Sequence, residues 1–436
     1  MWQAVRRSFH PLWRRAPRLR SLALAAIDVA VRPLFLPFRL DRPPAQKTEA
    51  LLEAQTDTLN AAAERYFAEH TDEVHLLDKP FSEPAALSRR LIDVGVLIDG
   101  LRLEPGDTVL ELGAGSCWLS HLLNRFGCRT IAVDVSPSAL AIGRRVFERD
   151  PRTNWSLDPQ FLAYDGHRLP IADGSVDRVV IYDAYHHLPN PARLLREIRR
   201  ALRPDGIVAM SEPGRGHAEA GLALTEAATG VLENELVVED IGELAIASGF
   251  AAARAIVASN APLAEIDVAG LRAFMGGRGF AQYWKNLCAA LDGHHYILLF
   301  AGDPAPTTRR GRRLKAVVTL PPSPVRMSTG QSAAIEIAVH NAGDTRWLST
   351  PNQAGWTRLG AHLYRGDASR TLVDYDWLRV ELPRDVAPNE TVRLRATLPA
   401  IAEPGDYLAA FDPVIEGKAW FADRDSVSID LPLSVR

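Results

Sequence analysis

The sequence predicts an α/β protein, an open Rossmann-like sheet, followed by an all-β sandwich. Three observations predict it. Between residues 108 and 210, short β-branched runs alternate with helical patterns, which is the signature of βαβ units. After Phe300 the apolar pattern switches to period two. The 436 residues are 47% hydrophobic and 24% charged, which excludes a disordered, collagen-like or coiled-coil chain. At roughly 100–200 residues per domain, this length accommodates two or three domains. The net charge of −3 argues against a nucleic-acid binder with a basic surface. The three cysteines form no Cys-x-x-Cys pair and no disulfide framework, so a reducing, cytoplasmic compartment is expected.

Residues 1–50 form a basic amphipathic segment. Its first forty residues carry eight arginines against Asp28 alone, interleaved with Trp2, Phe9, Leu12, Trp13 and Leu19. Asp28, Arg32, Pro33 and Pro37 interrupt the apolar stretch that follows, so no run of about 18 apolar residues spans a bilayer. Residues 1–40 read either as a peripheral anchor at the inner face of the membrane or as a helix lying on the protein itself. Leu51 to His70 has helical spacing, and Ser82-Glu83-Pro84 opens a second helix. The following domain runs over residues 51–301. Its strand candidates are Thr108–Leu112, Thr130–Asp134, Gln160–Tyr164, Arg178–Asp183 and Ile207–Met210, with Ala252–Ala258 and His295–Phe300 completing the sheet. Residues 302–315 read as a basic, proline-containing linker, and 316–436 as the sandwich, with period-two runs such as Ile335, Ile337 and Val339.

The informative stretch is Val109-Leu-Glu-Leu-Gly-Ala-Gly-Ser-Cys-Trp118. A strand runs into Gly113-Ala-Gly115 and then a helix, a place where backbone N–H groups approach a ligand. A dinucleotide site wants glycine where Trp118 stands, and Glu111 suits a cationic ligand better than a polyphosphate. Asp134 ends the next strand about 20 residues after the first glycine, the spacing expected for a carboxylate that grips ribose. Asp165-Gly166 ends the third strand, and an acid there can accept from an adenine amino group. The turns Leu169–Asp177 and Leu202-Arg-Pro-Asp-Gly206 complete the order.

With these five motifs, residues 80–301 resemble the class I S-adenosylmethionine-dependent methyltransferases. The resemblance implies a seven-stranded methyltransferase sheet with an antiparallel last strand and S-adenosyl-L-methionine as cofactor. It places Gly113 and Gly115 on the methionine moiety, Glu111 near its amino group, Asp134 on the ribose, and Asp165 with Gly166 at the adenine. The implied contact set extends to Ala114, Val135 and Asp183. Cys117 departs from the pattern, standing where the family often has a third glycine, and reads as a packed thiol. Tyr66-Phe67 and Lys79-Pro-Phe81 read either as a flap over the cofactor or as a packed amphipathic helix. The sandwich resembles bacterial immunoglobulin-like modules through Val339–Trp347 and Pro404-Gly-Asp-Tyr407. Its Trp347, Trp356, Trp377 and Trp420 read as core or as a sugar-stacking surface.

Methyl transfer from a sulfonium needs alignment of the acceptor and exclusion of water. For a hydroxyl acceptor a general base adds about 10²–10⁴-fold. Candidates are His186, His187 and His217, with Asp183, Tyr185 and Glu212 beside them, and Arg215 as an anion contact. No metal is expected, because adjacent histidines rarely face one ion and no Glu-x-x-His or His-x₃-His spacing occurs. The basic anchor, the aromatic sandwich and the histidine-rich acceptor side point to O-methylation of a glycan or lipid-linked saccharide, with no nucleic-acid partner. The alternatives are a membrane lipid or quinone as acceptor, or a non-catalytic scaffold that keeps the cofactor fold.

Overall fold

The computed structural model describes residues 55–70, 74–214, 217, 232–234, 236–310, 313–322, 324–424 and 426–436. The basic segment 1–50, Arg215 and Arg312 lie outside the described residues. These residues fall into two compact units, one ending at Ala301 and the other containing Arg102–Asp107 and everything from Gly302 to Arg436.

In the first unit, helices α1 (Thr56–Glu69), α2 (Val74–Leu77) and α3 (Pro84–Leu101) precede the sheet. Then follow β1 (Thr108–Leu112), α4 (Trp118–Phe126), β2 (Arg129–Asp134), α5 (Pro137–Arg149), β3 (Gln160–Ala163) and β4 (Val176–Tyr182). Helix α6 (Pro191–Ala201), β5 (Leu202–Pro213), α7 (Val238–Ala247), β6 (Ala252–Ile256), α8 (Leu271–Met275), α9 (Phe280–Gly293) and β7 (His294–Phe300) complete it. The order is β3-β2-β1-β4-β5-β7-β6, with β7 antiparallel to both neighbours. β1 and β4 are central and buried on both faces, which is why they read as continuous apolar runs. One face packs Leu110, Val179, Ile181 and Val208 against Leu195 and Ile198 of α6 and Ile241 of α7. Burying one such side chain fully contributes about 1.5–3 kcal/mol. The other face packs Ala132 against Leu140 and Phe147 of α5.

The chain reverses strand order between β1 and β4, so a crevice opens beyond their carboxyl ends. One local expectation fails. Leu202–Gly206 is not a separate tight turn: Leu202 already pairs with Val176, and a register shift before Arg178 absorbs the extra residues within β5.

The second unit is a two-sheet sandwich. Strands β8 (Ala316–Thr319), β10 (Ala333–Asn341) and β13 (Thr391–Leu398) form a three-stranded sheet in the order β13-β10-β8. The facing sheet has the order β12-β11-β14-β16-β9, from β9 (Val325–Met327), β11 (Thr357–Arg365), β12 (Leu372–Glu381), β14 (Gly405–Ile415) and β16 (Ile429–Val435). β15 (Ala419–Trp420) pairs with β14. β13 alternates strictly between exposed and buried positions, as a strand with one solvated face must. Tyr407, at the start of β14, donates its hydroxyl to the Glu403 carbonyl at 2.9 Å, the corner bond of immunoglobulin-like sandwiches. Trp347 and Trp377 join the sandwich core, whereas Trp420 packs outside that core against Gly360, His362, Tyr375 and Arg379, and Trp356 is half-buried under the Arg358 guanidinium. Residues expected as a linker also pack here. Thr308 is buried and bonds the Gly355 carbonyl at 2.6 Å, and Leu314 joins the core.

Candidate active site

Beyond β1 the backbone turns through Gly113 (φ 68°) and Gly115 (φ 50°). A Cβ on Gly113 would stand 2.5 Å from the Ala184 Cβ, so β1 and β4 can close here only around glycine. Cys117 also lies in the left-handed region (φ 55°), which explains why a third glycine suits this position. Its buried thiol packs where Gly143 of α5 leaves room: a Cβ at 143 would sit 2.2 Å from the sulfur. Burial pushes the thiol pKa well above its ordinary value, and the charges of Glu111 and Asp134 push it further, so Cys117 is a packed thiol.

The two acids of the first motifs are both buried and both hold backbone. The Glu111 carboxylate accepts from Ser120 N at 2.7 Å and from the Ser120 hydroxyl, at the N-terminus of α4, where negative charge is favoured. Burial pushes its pKa up to about 8, against the Ser120 bonds and with help from Asp134. Asp134 accepts from Gly115 N and Ser136 N, each at 2.8 Å. Burial raises its pKa too, opposed by those amide bonds.

These groups border a cavity of about 310 Å³ at the carboxyl ends of β1, β2 and β4. Glu111, Gly113, Ala114, Gly115, Asp134, Val135, Gly166 and Asp183 line it, as do His186, His187 and His217. Asp165 does not. It is exposed, and its Oδ1 accepts from the amides of His167 and Arg168 at 2.7 and 2.9 Å, which hold its carboxyl below the usual range. Tyr164 and Gly166 border the cavity instead.

The residues fit the cofactor that the resemblance implies. A Cβ on Gly115 would meet only the Phe67 ring edge, at 3.6 Å, so the cradle is open above it. The adjoining acids suit an ammonium and a ribose. Helix α1 supplies Leu59, Asn60, Ala63, Tyr66 and Phe67 to the same cavity, and Lys79 joins them, whereas Phe81 is exposed and outside the lining. Its Glu64 accepts from the hydroxyls of Ser136 and Ser138, both at 2.6 Å. Burial opposes that carboxylate, but the serine bonds win and keep its pKa low. Asn60 donates to the Asp165 carbonyl at 3.0 Å. Neither Glu64 nor Asn60 carries a motif signal. The only sequence hint is the Ser136-Pro137-Ser138 helix start that Glu64 completes.

The histidines sit on the segments after β4 and β5. Asp183 adopts φ 53°, and a 3₁₀ turn, Tyr185–His187, follows it. Glu212 of β5 braces that turn: its Oε1 accepts from Ala184 N and Tyr185 N at 3.1 and 3.0 Å, and its Oε2 pairs with His186 Nδ1 at 2.8 Å. Burial lowers the His186 pKa, but Glu212 more than offsets it, and the net shift is upward. His187 Nδ1 donates to the Leu232 carbonyl at 2.7 Å, so Nε2 is the bare nitrogen of the neutral ring. Burial and the neighbouring His186 lower its pKa. His217 Nε2 lies 3.1 Å from Glu233 Oε2. Glu233 was not singled out in the sequence, because nothing in Leu232-Glu-Asn marks it. Tyr185 is buried, outside the cavity lining.

Residues 110–210 match the model of a methyltransferase domain family. Similar curated proteins include an "uncharacterized 37.1 kDa protein in transposon TN4556" of Streptomyces fradiae, 30% identical over 214 residues, 46% of this chain and 59% of that one. A demethylmenaquinone methyltransferase of Renibacterium salmoninarum is 31% identical over 117 residues, 27% of this chain and 46% of that one. The chain thus spans about half the length of the curated relatives it matches. Among solved structures, phosphoethanolamine N-methyltransferase 2 of Haemonchus contortus in complex with S-adenosyl-L-methionine aligns at 19% identity, over 54% of this chain and 60% of that one, with a TM-score of 0.37. Among the described residues, no helix is long and apolar enough to cross a membrane.

Proposed function

Because the chain carries a class I S-adenosylmethionine-dependent methyltransferase core, we propose that it methylates a hydroxyl group of a glycan or lipid-linked saccharide. The observation that carries this reading is a single cavity shared by the acids and glycines after β1 and β2 and the histidines after β4 and β5. Bound there, the cofactor supplies an electrophilic methyl group. Glu111 and Asp134 hold its ammonium and ribose, and Tyr164 with Gly166 borders its base in place of Asp165. Helix α1 lines one side of the cavity, and its apolar side chains there would help keep water from the methyl group. His187 Nε2 accepts the proton of the acceptor hydroxyl, worth about 10²–10⁴-fold. The polar lining of Asp183, His187, Asn190 and His217 offers hydrogen-bonding partners to a polyhydroxylated acceptor.

A quinone acceptor is the second reading, favoured by demethylmenaquinone methyltransferases among the relatives, at 31% and 35% identity. Labelled methyl transfer into polysaccharide, glycolipid and apolar lipid fractions separates the two. Label confined to the quinone fraction selects the second reading. Calorimetry with S-adenosylmethionine tests the core premise. Asp134→Ala should weaken binding by about 1–3 kcal/mol through loss of a charge-assisted bond. Absence of binding at millimolar cofactor would leave only a scaffold.

A further inference from the structure

The structure brings together three ligand-type groups that the sequence holds apart. His186, His217 and Glu233 each present one ligand atom within 4.8 Å of the others. His186 Nε2 lies 3.7 Å and His217 Nε2 3.1 Å from the same carboxylate oxygen, Glu233 Oε2. Ligands at about 2.0–2.1 Å around a tetrahedral ion stand about 3.4 Å apart, and the two observed spacings bracket that edge. The expectation of no metal rested on the adjacent pair His186 and His187 with Asp183, a different set.

We propose that His186, His217 and Glu233 bind a divalent transition-metal cation whose open coordination position faces the cavity and takes an oxygen of the acceptor. The role of the open position rests on the reading of this cavity as a methyl-acceptor site; the binding of the ion does not.

Four features support the assignment. Three protein ligands with a fourth position left open is the arrangement of catalytic rather than structural zinc. Two imidazoles and one carboxylate suit zinc, iron or manganese, whereas calcium and magnesium prefer all-oxygen cages. His186 Nδ1 is engaged by Glu212 Oε2 at 2.8 Å, and Glu212 is itself fixed by two backbone amides. This is the carboxylate–histidine pairing that orients metal-bound imidazoles and leaves Nε2 for the ion. Finally, the Glu212 and Glu233 side chains are almost wholly buried, and a divalent cation compensates two such carboxylates. His186 and His217 both border the cavity, so the open position is reachable from it.

The test uses the full chain, treated with EDTA and titrated with zinc and with cobalt(II) by calorimetry and visible absorption. One ion per chain is expected, with the cobalt bands of a four- or five-coordinate site. Glu233→Gln and His217→Asn should each lower affinity at least as much as Glu212→Gln, for which a loss of about 10- to 100-fold is expected. Absence of a stoichiometric cobalt spectrum overturns the proposal, as does full affinity in both ligand variants. In that case His186 is held between Glu212 and Glu233 by protons alone. Circular dichroism qualifies each variant, and the wild-type cobalt spectrum decides where a variant does not fold. Cofactor titration of the EDTA-treated chain separates this proposal from the one before it. A chain that binds the cofactor but takes up no ion overturns the metal site alone, and a chain that takes up the ion but binds no cofactor overturns the methyltransferase reading alone.

Discussion

Placed at the cofactor ammonium as proposed, Glu111 should link cofactor affinity to pH. In the ligand-free chain its carboxyl is pushed up to about 8 by burial, with the Ser120 bonds opposing and Asp134 adding to the rise. At pH 7 it is therefore mostly protonated. An ammonium group bound beside it favours the ionised form, so the cofactor expels the proton on binding. The sign follows: binding tightens as pH rises toward 8, because the proton no longer competes. The cofactor's own α-amino group, ordinarily titrating at about 7.7–8.0, loses its charge over the upper part of this range, so the useful window is below pH 7.5. Between pH 6 and 7.5 the fraction of free Glu111 that is ionised grows about 25-fold, which corresponds to about 1.9 kcal/mol of affinity and up to about 0.9 proton released per cofactor at pH 7. Calorimetry in two buffers of different ionisation enthalpy measures both quantities. Glu111→Gln keeps an acceptor for Ser120 and should flatten the profile. A wild-type profile already flat from pH 6 to 7.5, with no proton exchanged, refutes the placement of Glu111 at the ammonium.

Three further outcomes are expected. Gly113→Ala should cost about 1–2 kcal/mol for a left-handed alanine, plus the collision with Ala184, and weaken cofactor binding. Pairing it with Ala184→Gly should recover only the steric part in urea melts, and full stability of the single variant would contradict the geometry. Asp412, buried in β14 with Oδ1 unpartnered, has its pKa pushed up to about 7 by burial, against the Ala422 amide bond. Its folded pKa exceeds the ordinary 3.8, so its contribution is intact below pH 3.8 and is lost as pH rises to 7, about 4 kcal/mol in total. Asp412→Asn should accordingly gain stability on the wild type at pH 8 and lose that gain by pH 4, and parallel denaturation curves at both values would exclude the burial cost. Deleting residues 1–40 should abolish sedimentation with anionic vesicles; persistent binding would move the contact to other cations such as the exposed Arg313, because Arg310 is engaged by Asp107.

The sheet was legible because its constraint is local. A parallel strand buried on both faces must be apolar throughout, and the turn after β1 needs glycine where φ is positive and Ala184 stands close. Asp134 was placed at its strand end by its spacing from the first glycine, and it accepts from Ser136 two residues on and from Gly115 across the adjoining strand end. Asp165 misled for the converse reason: a carboxylate at a strand end caps the next turn as readily as it faces a ligand, and the amides of His167 and Arg168 won. Glu64, Asn60 and Glu233 were invisible because their partners lie far along the chain and no spacing links them. The tryptophans of the sandwich could not be sorted by type. Only the pairing of the two sheets decides which rings turn inward.

The left-handed Cys117 and the bare Gly143 make a reciprocal constraint. The thiol occupies the space that a methyl at 143 would need, so the two positions should exchange bulk as a pair. A sister chain with glycine at 117 sheds the backbone strain and can carry alanine at 143, strengthening that helix by about 0.8–1.0 kcal/mol. A chain that keeps the sulfur must keep the gap, and covariation between these two sites is how natural variation would record it.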